Sequence, residues 1–161
     1  PDAHRAVAEW TREQLSDEQV EYLRRLPSER RVSHGDDLLL GTHGSPGSQT
    51  LGLPADLDPA ITVQRVTRTD ARVIACGHTH VAEVREFGQK LIVNPGSCGY
   101  AFDGTPDACW GMISLEEDEE PSAELFRPTY DPNPTAELVA ERGLAGDVYR
   151  AATIRTGRFV R

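Results

Sequence analysis

At 161 residues the chain has the length of one domain and enough sequence to bury a real core. A net charge of −9 and a pI near 5.0 argue against a protein that grips the phosphate backbone of nucleic acid. No apolar run is long enough to span a membrane, and no charged-then-apolar leader stands at the start. Three cysteines, Cys76, Cys98 and Cys109, lack paired short spacing, which argues against a disulfide framework or a zinc knuckle and fits a reducing cytoplasm.

Residues 3–26 carry Ala6, Val7, Trp10, Leu15, Val20, Leu23 and Leu26 at helical spacings with charges between them. Ser16 followed three residues later by Gln19 matches a capping box, so the segment divides into two helices, and Pro27 ends the second. His4 falls on the first helix and reads as a solvated histidine. Gly35-Asp36-Asp37 is a turn, and Leu38-Leu39-Leu40-Gly41 is a continuous apolar run, expected to be a strand buried on both faces. It exits into Thr42-His43-Gly44-Ser45-Pro46-Gly47. Residues 51–58 form a long irregular loop, a candidate lid. Asp58-Pro59 opens a weak helix over 58–69, with proline acceptable in its first turn.

Ala71-Arg72-Val73-Ile74 is a second short buried strand, followed by Ala75-Cys76-Gly77-His78-Thr79-His80. Gly77 permits a sharp turn. If residues 78–80 are extended, positions i and i+2 point the same way and the two imidazoles enter one small volume. Imidazole suits zinc, iron, manganese or nickel; taken alone, the pair also reads as exposed turn histidines. Residues 82–87 and 90–93 form a hairpin across Gly88-Gln89, exiting into Asn94-Pro95-Gly96-Ser97-Cys98-Gly99-Tyr100. Three strand ends, at His43, His78 and Asn94, thus pass into glycine-containing loops, where sites are commonly built. Residues 109–115 and 123–127 are further strands, joined by an acidic bend over 116–121 that reads as a solvated hairpin tip. Pro132 and Pro134 break the chain before helices over 135–142 and 147–156. Arg150, Arg155, Arg158 and Arg161 make that end basic.

Together, Leu40-Gly41-Thr42-His43-Gly44, Cys76-Gly77-His78-Thr79-His80 and Val93-Asn94-Pro95-Gly96-Ser97 resemble, in order and spacing, the C-terminal half of a calcineurin-like metallophosphoesterase. The nearest match is the small bacterial YfcE-like phosphodiesterase branch. Residues 10–27 resemble the helix pair ahead of the His-Gly strand and 130–157 the terminal helices, so the resemblance covers nearly the whole chain. It implies an α/β fold, a two-sheet mixed β-sandwich flanked by helices. Residues 1–161 would form its C-terminal part: a helical entry over 1–27, a sheet and metal-loop region over 36–128, and C-terminal helices over 134–158. The resemblance implies two divalent transition-metal ions, manganese, iron, zinc or nickel. His43 and His78 would share one ion, and His80 would serve the other. A substrate-pocket loop would lie at Asn94, Gly96 and Ser97. The implied activity is hydrolysis of a small phosphodiester or phosphomonoester, by a cytoplasmic enzyme without membrane or nucleic-acid partners and open to homo-oligomerisation.

The family's Asp-x-His, metal-bridging Gly-Asp and Gly-Asn-His-Asp motifs have no counterpart in this sequence. Gly35-Asp36 lies on the turn before the His43 strand, and Asp2 and His4 do not recreate the Asn-His-Asp element. The chain also starts at Pro1 without an initiator Met. An N-terminal segment of the same domain is therefore expected to supply the carboxylates, the catalytic histidine and several strands beside 38–40 and 73–75. This chain would then carry no catalytic residue beyond its metal ligands. Three alternatives stand beside that reading: a mononuclear three-histidine zinc hydrolase, a non-catalytic binding or regulatory remnant of the fold, and structural histidines without a metal.

Overall fold

The chain begins with helices α1 (Asp2–Gln14) and α2 (Asp17–Arg25), divided where the Ser16 cap requires. Ser16 Oγ accepts from Gln19 N (3.2 Å) and Gln19 Oε1 accepts from Ser16 N (2.8 Å). Two backbone donors that a helix start would leave without partners are thereby satisfied. The computed structural model describes residues 2–160; Pro1 and Arg161 lie outside the described residues.

A five-stranded mixed sheet follows, made of β1 (Glu29–His34), β2 (Asp37–Thr42), β3 (Val73–Ala75), β4 (Ala82–Phe87) and β5 (Lys90–Pro95) in the order β1-β2-β3-β5-β4. The three central strands β2, β3 and β5 run parallel, and the edge strands β1 and β4 run antiparallel to their neighbours. The strand β1 was not expected from the sequence. It pairs with β2 from Glu29↔Thr42 to His34↔Asp37 around Gly35, whose φ is +55°. Both β2 and β3 are therefore hydrogen-bonded on each side by strands of this chain. That corrects the expectation that an absent segment supplies those neighbours: the polar run Glu29–His34 fills the place.

Leu40, Ile74 and Ile92 lie in register across β2, β3 and β5 and are fully buried. Because side chains alternate across a strand, they share one face, where Ile74 and Ile92 pack with Leu53, Val66 and Cys76. Val66 comes from α3 (Pro59–Val66), started by Asp58, whose Oδ1 accepts from Ala60 N (2.8 Å) and Ile61 N (3.3 Å). Leu53 comes from the loop expected to be a lid, and that expectation is corrected too. Its side chain is fully buried in the core, which is worth about 1.5–3 kcal/mol. Arg65 donates to Gly52 O, while Arg85 Nη2 donates to Leu53 O (3.3 Å) and Pro54 O (3.5 Å). A loop plugged and pinned in this way does not swing open.

The second sheet is the antiparallel pair β6 (Trp110–Ser114) and β7 (Ser122–Phe126), which packs against β4 and β5. Residues 116–120 are exposed at its tip, as a charged bend should be. Helices α4 (Asn133–Arg142) and α5 (Asp147–Thr156) close the chain as a hairpin around Ala136, Ala151 and Ile154, against which Tyr100 packs. A clasp at buried Asp147 ties this hairpin to α1. Asp147 accepts from Arg142 and Arg150; Arg150 also donates to Ala3 O (3.1 Å), and the Arg142 guanidinium lies 4.7 Å from the Trp10 ring centroid. Among the described residues no helix is long and apolar enough to cross a membrane.

Candidate functional site

The parallel strands β2, β3 and β5 are adjacent and end on the same edge of the sheet, at Thr42, Ala75 and Pro95. The carboxyl ends of neighbouring parallel strands bring loops distant in sequence into one place. His43 follows β2, His78 and His80 follow β3, and Asn94 stands at the end of β5. Backbone bonds tie the loops together: Gly77 N donates to His43 O (2.8 Å) and Cys76 N to Val93 O (2.8 Å).

His43 and His78 are brought into contact. His78 Nδ1 lies 3.3 Å from His43 Nε2, with the rings edge to face at 83°. Both residues are exposed. Two imidazole nitrogens bound at about 2.0–2.1 Å to one tetrahedral zinc ion stand roughly 3.3 Å apart. The pair therefore fits two positions of such a site, and its donor chemistry suits a transition metal. Among the described residues no group of three or more His, Cys, Asp or Glu side chains converges to complete it.

His80 is held elsewhere. Its Nδ1 lies 2.6 Å from Tyr100 O, and a carbonyl can only accept, so Nδ1 carries the proton and the neutral ring keeps its lone pair on Nε2. Phe102 stacks on the imidazole at 4.7 Å between centroids, Tyr100 meets it edge-on at 5.7 Å, and Phe102 N donates to His80 O (2.9 Å). The sequence did not single out Tyr100 or Phe102 as supports; the aromatic pair just after the Gly96–Gly99 loop was the available signal.

The expected extended conformation of residues 78–80 is corrected. His78 has φ +69° and His80 φ +58°, both in the left-handed region that costs a non-glycine residue on the order of 1–3 kcal/mol. Neighbours in that conformation do not follow the i, i+2 rule, and the two imidazoles have different partners. Among the described residues His43, His78 and His80 do not form one group of three that could hold a single zinc ion.

The Asn94 loop is fastened by its own side chains. Asn94 is fully buried with its carboxamide turned inward: Nδ2 donates to Gly77 O (3.0 Å) and Thr79 Oγ1 (2.8 Å), and Oδ1 accepts from Gly96 N (2.9 Å). Ser97 Oγ accepts from Tyr100 N (2.8 Å), closing the next turn. Asp103, just beyond Phe102, turns to Ala82 N (3.3 Å) and Arg127 (2.5 Å). Burial works to raise its carboxyl, but the hydrogen bonds from Arg127 and Ala82 outweigh it and hold the group below the usual range. A cavity of about 970 Å³ lies at the far end of β4 and β5, lined by Phe87, Gly88, Gln89 and Lys90, and contains none of the histidines.

Residues 6–118 match the family model described as the calcineurin-like phosphoesterase superfamily domain. Among solved structures, a metallophosphoesterase from Sphaerobacter thermophilus is similar at 27% identity with a TM-score of 0.67, over 90% of this chain and 66% of that one. The hypothetical protein PH1004 from Pyrococcus horikoshii shares the fold at 19% identity with a TM-score of 0.80, over 98% of this chain and 61% of that one. The chain thus spans less than two thirds of the length of either structure. Among curated proteins, none is significantly similar to it in sequence.

Proposed function

Because this chain belongs to the calcineurin-like phosphoesterase superfamily, we propose that it works as part of a metal-dependent phosphoesterase that hydrolyses a small phosphodiester or phosphomonoester. The observation that carries this reading is the 3.3 Å approach of His43 Nε2 to His78 Nδ1 at the ends of adjacent parallel strands. His43 and His78 would hold one divalent transition-metal ion, and His80, through Nε2, a second. Two such ions would neutralise charge on the phosphoryl oxygens and acidify attacking water. This chain's own contribution is to hold the imidazole rings in fixed directions. The Tyr100 carbonyl sets the His80 tautomer, as second-shell acceptors do for ligating imidazoles, and the Phe102 face limits rotation of that ring.

Neutral imidazoles carry no negative charge, and no carboxylate converges with them among the described residues. We propose that carboxylates from a further segment of the same domain complete the centre and balance its charge. The order of the three loop motifs supports assignment to the small bacterial YfcE-like branch. Three free cysteines support a reducing, cytoplasmic setting. A second reading, a binding module that keeps the fold without turnover, is favoured by the lack of a three-ligand group among the described residues.

The test is metal content and turnover of the protein at its full natural length. Elemental analysis should find two transition-metal ions. His43→Ala and His78→Ala should each remove the same ion, and His80→Ala the other. Hydrolysis of bis-p-nitrophenyl phosphate or p-nitrophenyl phosphate should fall by orders of magnitude in each variant. Two ions retained after all three replacements would refute the ligand assignment, and metal binding without turnover would favour the binding module.

A further inference from the structure

We propose that Asn94 is the positioning residue of this site: its carboxamide holds the His78-Thr79-His80 turn in the left-handed conformation that delivers His78 to His43 and His80 to Tyr100. The proposal rests on the reading that these imidazoles are the working groups of the site, and it adds a residue that touches neither substrate nor metal.

The orientation of the amide is fixed by chemistry. The end facing the Gly77 carbonyl must be the NH2, because a carbonyl oxygen only accepts, and the end facing Gly96 N–H must be the oxygen. With Nδ2 shared between Gly77 O and Thr79 Oγ1, both protons of the amide are used. The Thr79 hydroxyl accepts from Asn94 and directs its own proton to Val81 O (3.4 Å). Asn94 therefore grips the turn at two points, one just before each left-handed histidine.

Other bonds close on the same turn: Gly77 N donates to His43 O (2.8 Å) and the His80 ring bonds to Tyr100 O (2.6 Å). Thr79 N donates to Gly77 O (2.8 Å), a three-residue closure, and His80 O is held by Phe102 N (2.9 Å). Left-handed conformations at two non-glycine residues persist only where the surroundings over-determine them. A fully buried amide with all its polar contacts made is such a surrounding. The same side chain links the turn to the neighbouring loop through Gly96 N. Gly96, at φ +73°, lies so close to Ala82 that an added Cβ would come within 2.9 Å of the Ala82 Cβ. The two loops are thus locked together, and a displacement of one moves the other.

The experiment compares wild type with Asn94→Leu, Thr79→Val and Thr79→Ser at full natural length, reading the imidazole signals by long-range proton–nitrogen correlation at one fixed pH without added metal. Asn94→Leu keeps side-chain volume and deletes the amide; Thr79→Val deletes the hydroxyl and Thr79→Ser keeps it. Asn94→Leu and Thr79→Val should shift the His78 and His80 signals and leave those of exposed His4 and His34 in place, while Thr79→Ser retains the wild-type spectrum. In a parallel cobalt(II) titration the first two variants should bind about 10–100-fold more weakly and Thr79→Ser within about twofold of wild type. Unchanged His78 and His80 signals in Asn94→Leu, or equal shifts in both Thr79 variants, overturn the proposal. A wild type that binds no cobalt overturns the metal reading and leaves the spectral arm to decide on Asn94. Should Asn94→Leu fail to fold, the two Thr79 variants decide by the same criteria.

Discussion

Asp147→Asn should destabilise the fold by about 2 kcal/mol at pH 7 and by about half as much at pH 3. Asp147 is 1% exposed and accepts from Arg142 Nε (2.9 Å) and Nη2 (2.6 Å), Leu144 N (3.0 Å) and Arg150 Nη1 (2.9 Å). The Arg142 hydrogen bonds lead in holding its carboxyl at about 2 against an ordinary 3.8, and they outweigh the opposing effect of burial. At about 1.4 kcal/mol per pH unit, that depression is worth at most ~2.5 kcal/mol. The guanidinium groups are 17% and 19% exposed, so water screens part of the effect and about 2 kcal/mol is the working figure. A carboxyl depressed in the folded state contributes fully above its unfolded value of 3.8, and that contribution is lost as pH falls through about 2. Urea denaturation of both proteins at pH 7, 5 and 3 measures the gap. A difference that is the same at pH 7 and pH 3, or below about 0.5 kcal/mol throughout, would refute the electrostatic account. The consequence reaches the site, because Tyr100 packs on the α4–α5 core and Gly104 N donates to Gly157 O at the end of α5 (2.8 Å). A loosened helical hairpin loosens the carbonyl that orients His80.

Three further outcomes follow from packing and burial. Leu53→Ala should cost about 3 kcal/mol in urea denaturation, since it empties a fully buried position against Val66, Ile74 and Ile92; a loss under about 1 kcal/mol would restore the lid reading of its loop. Gly157→Ala should lower the melting temperature far more than Gly35→Ala. Both glycines have positive φ, +63° and +55°, but an added Cβ meets the Thr105 backbone at Gly157 and nothing within 4 Å at Gly35. Equal shifts would show that backbone strain alone matters. With a disulfide-exchange reagent at pH 8, the native protein should react quickly at exposed Cys98 only. Burial, with the Glu83 charge adding to it, pushes the Cys76 thiol up to about 12, and burial also raises Cys109. All three thiols should react after denaturation, and rapid native labelling of Cys76 would contradict its place in the core.

The helices, the existence of strands β2 and β3, the β4–β5 hairpin and the siting of His43 and His78 at strand ends were legible in the sequence, because each leaves a local mark. The Ser16–Gln19 cap, the apolar runs ending in glycine and the turn at Gly88 act over a few residues, and burial of neighbours sets their period. The strand β1 left no such mark. Glu29–His34 is polar and exposed at a sheet edge, with Val32 as its only aliphatic residue, and it is a strand because β2 offers it hydrogen-bond partners. Leu53 read as loop, since nothing local says that a single leucine is the plug over Ile74 and Ile92. The same limit governs the site. That His78 finds His43, that His80 finds Tyr100 O, and that the Asn94 amide turns inward all depend on contacts across 15 to 35 residues. Residue types and order settled which groups reach the edge of the sheet. The left-handed turn at His78 and His80, and hence the direction each imidazole takes, was decided by tertiary hydrogen bonds strong enough together to override local backbone preference.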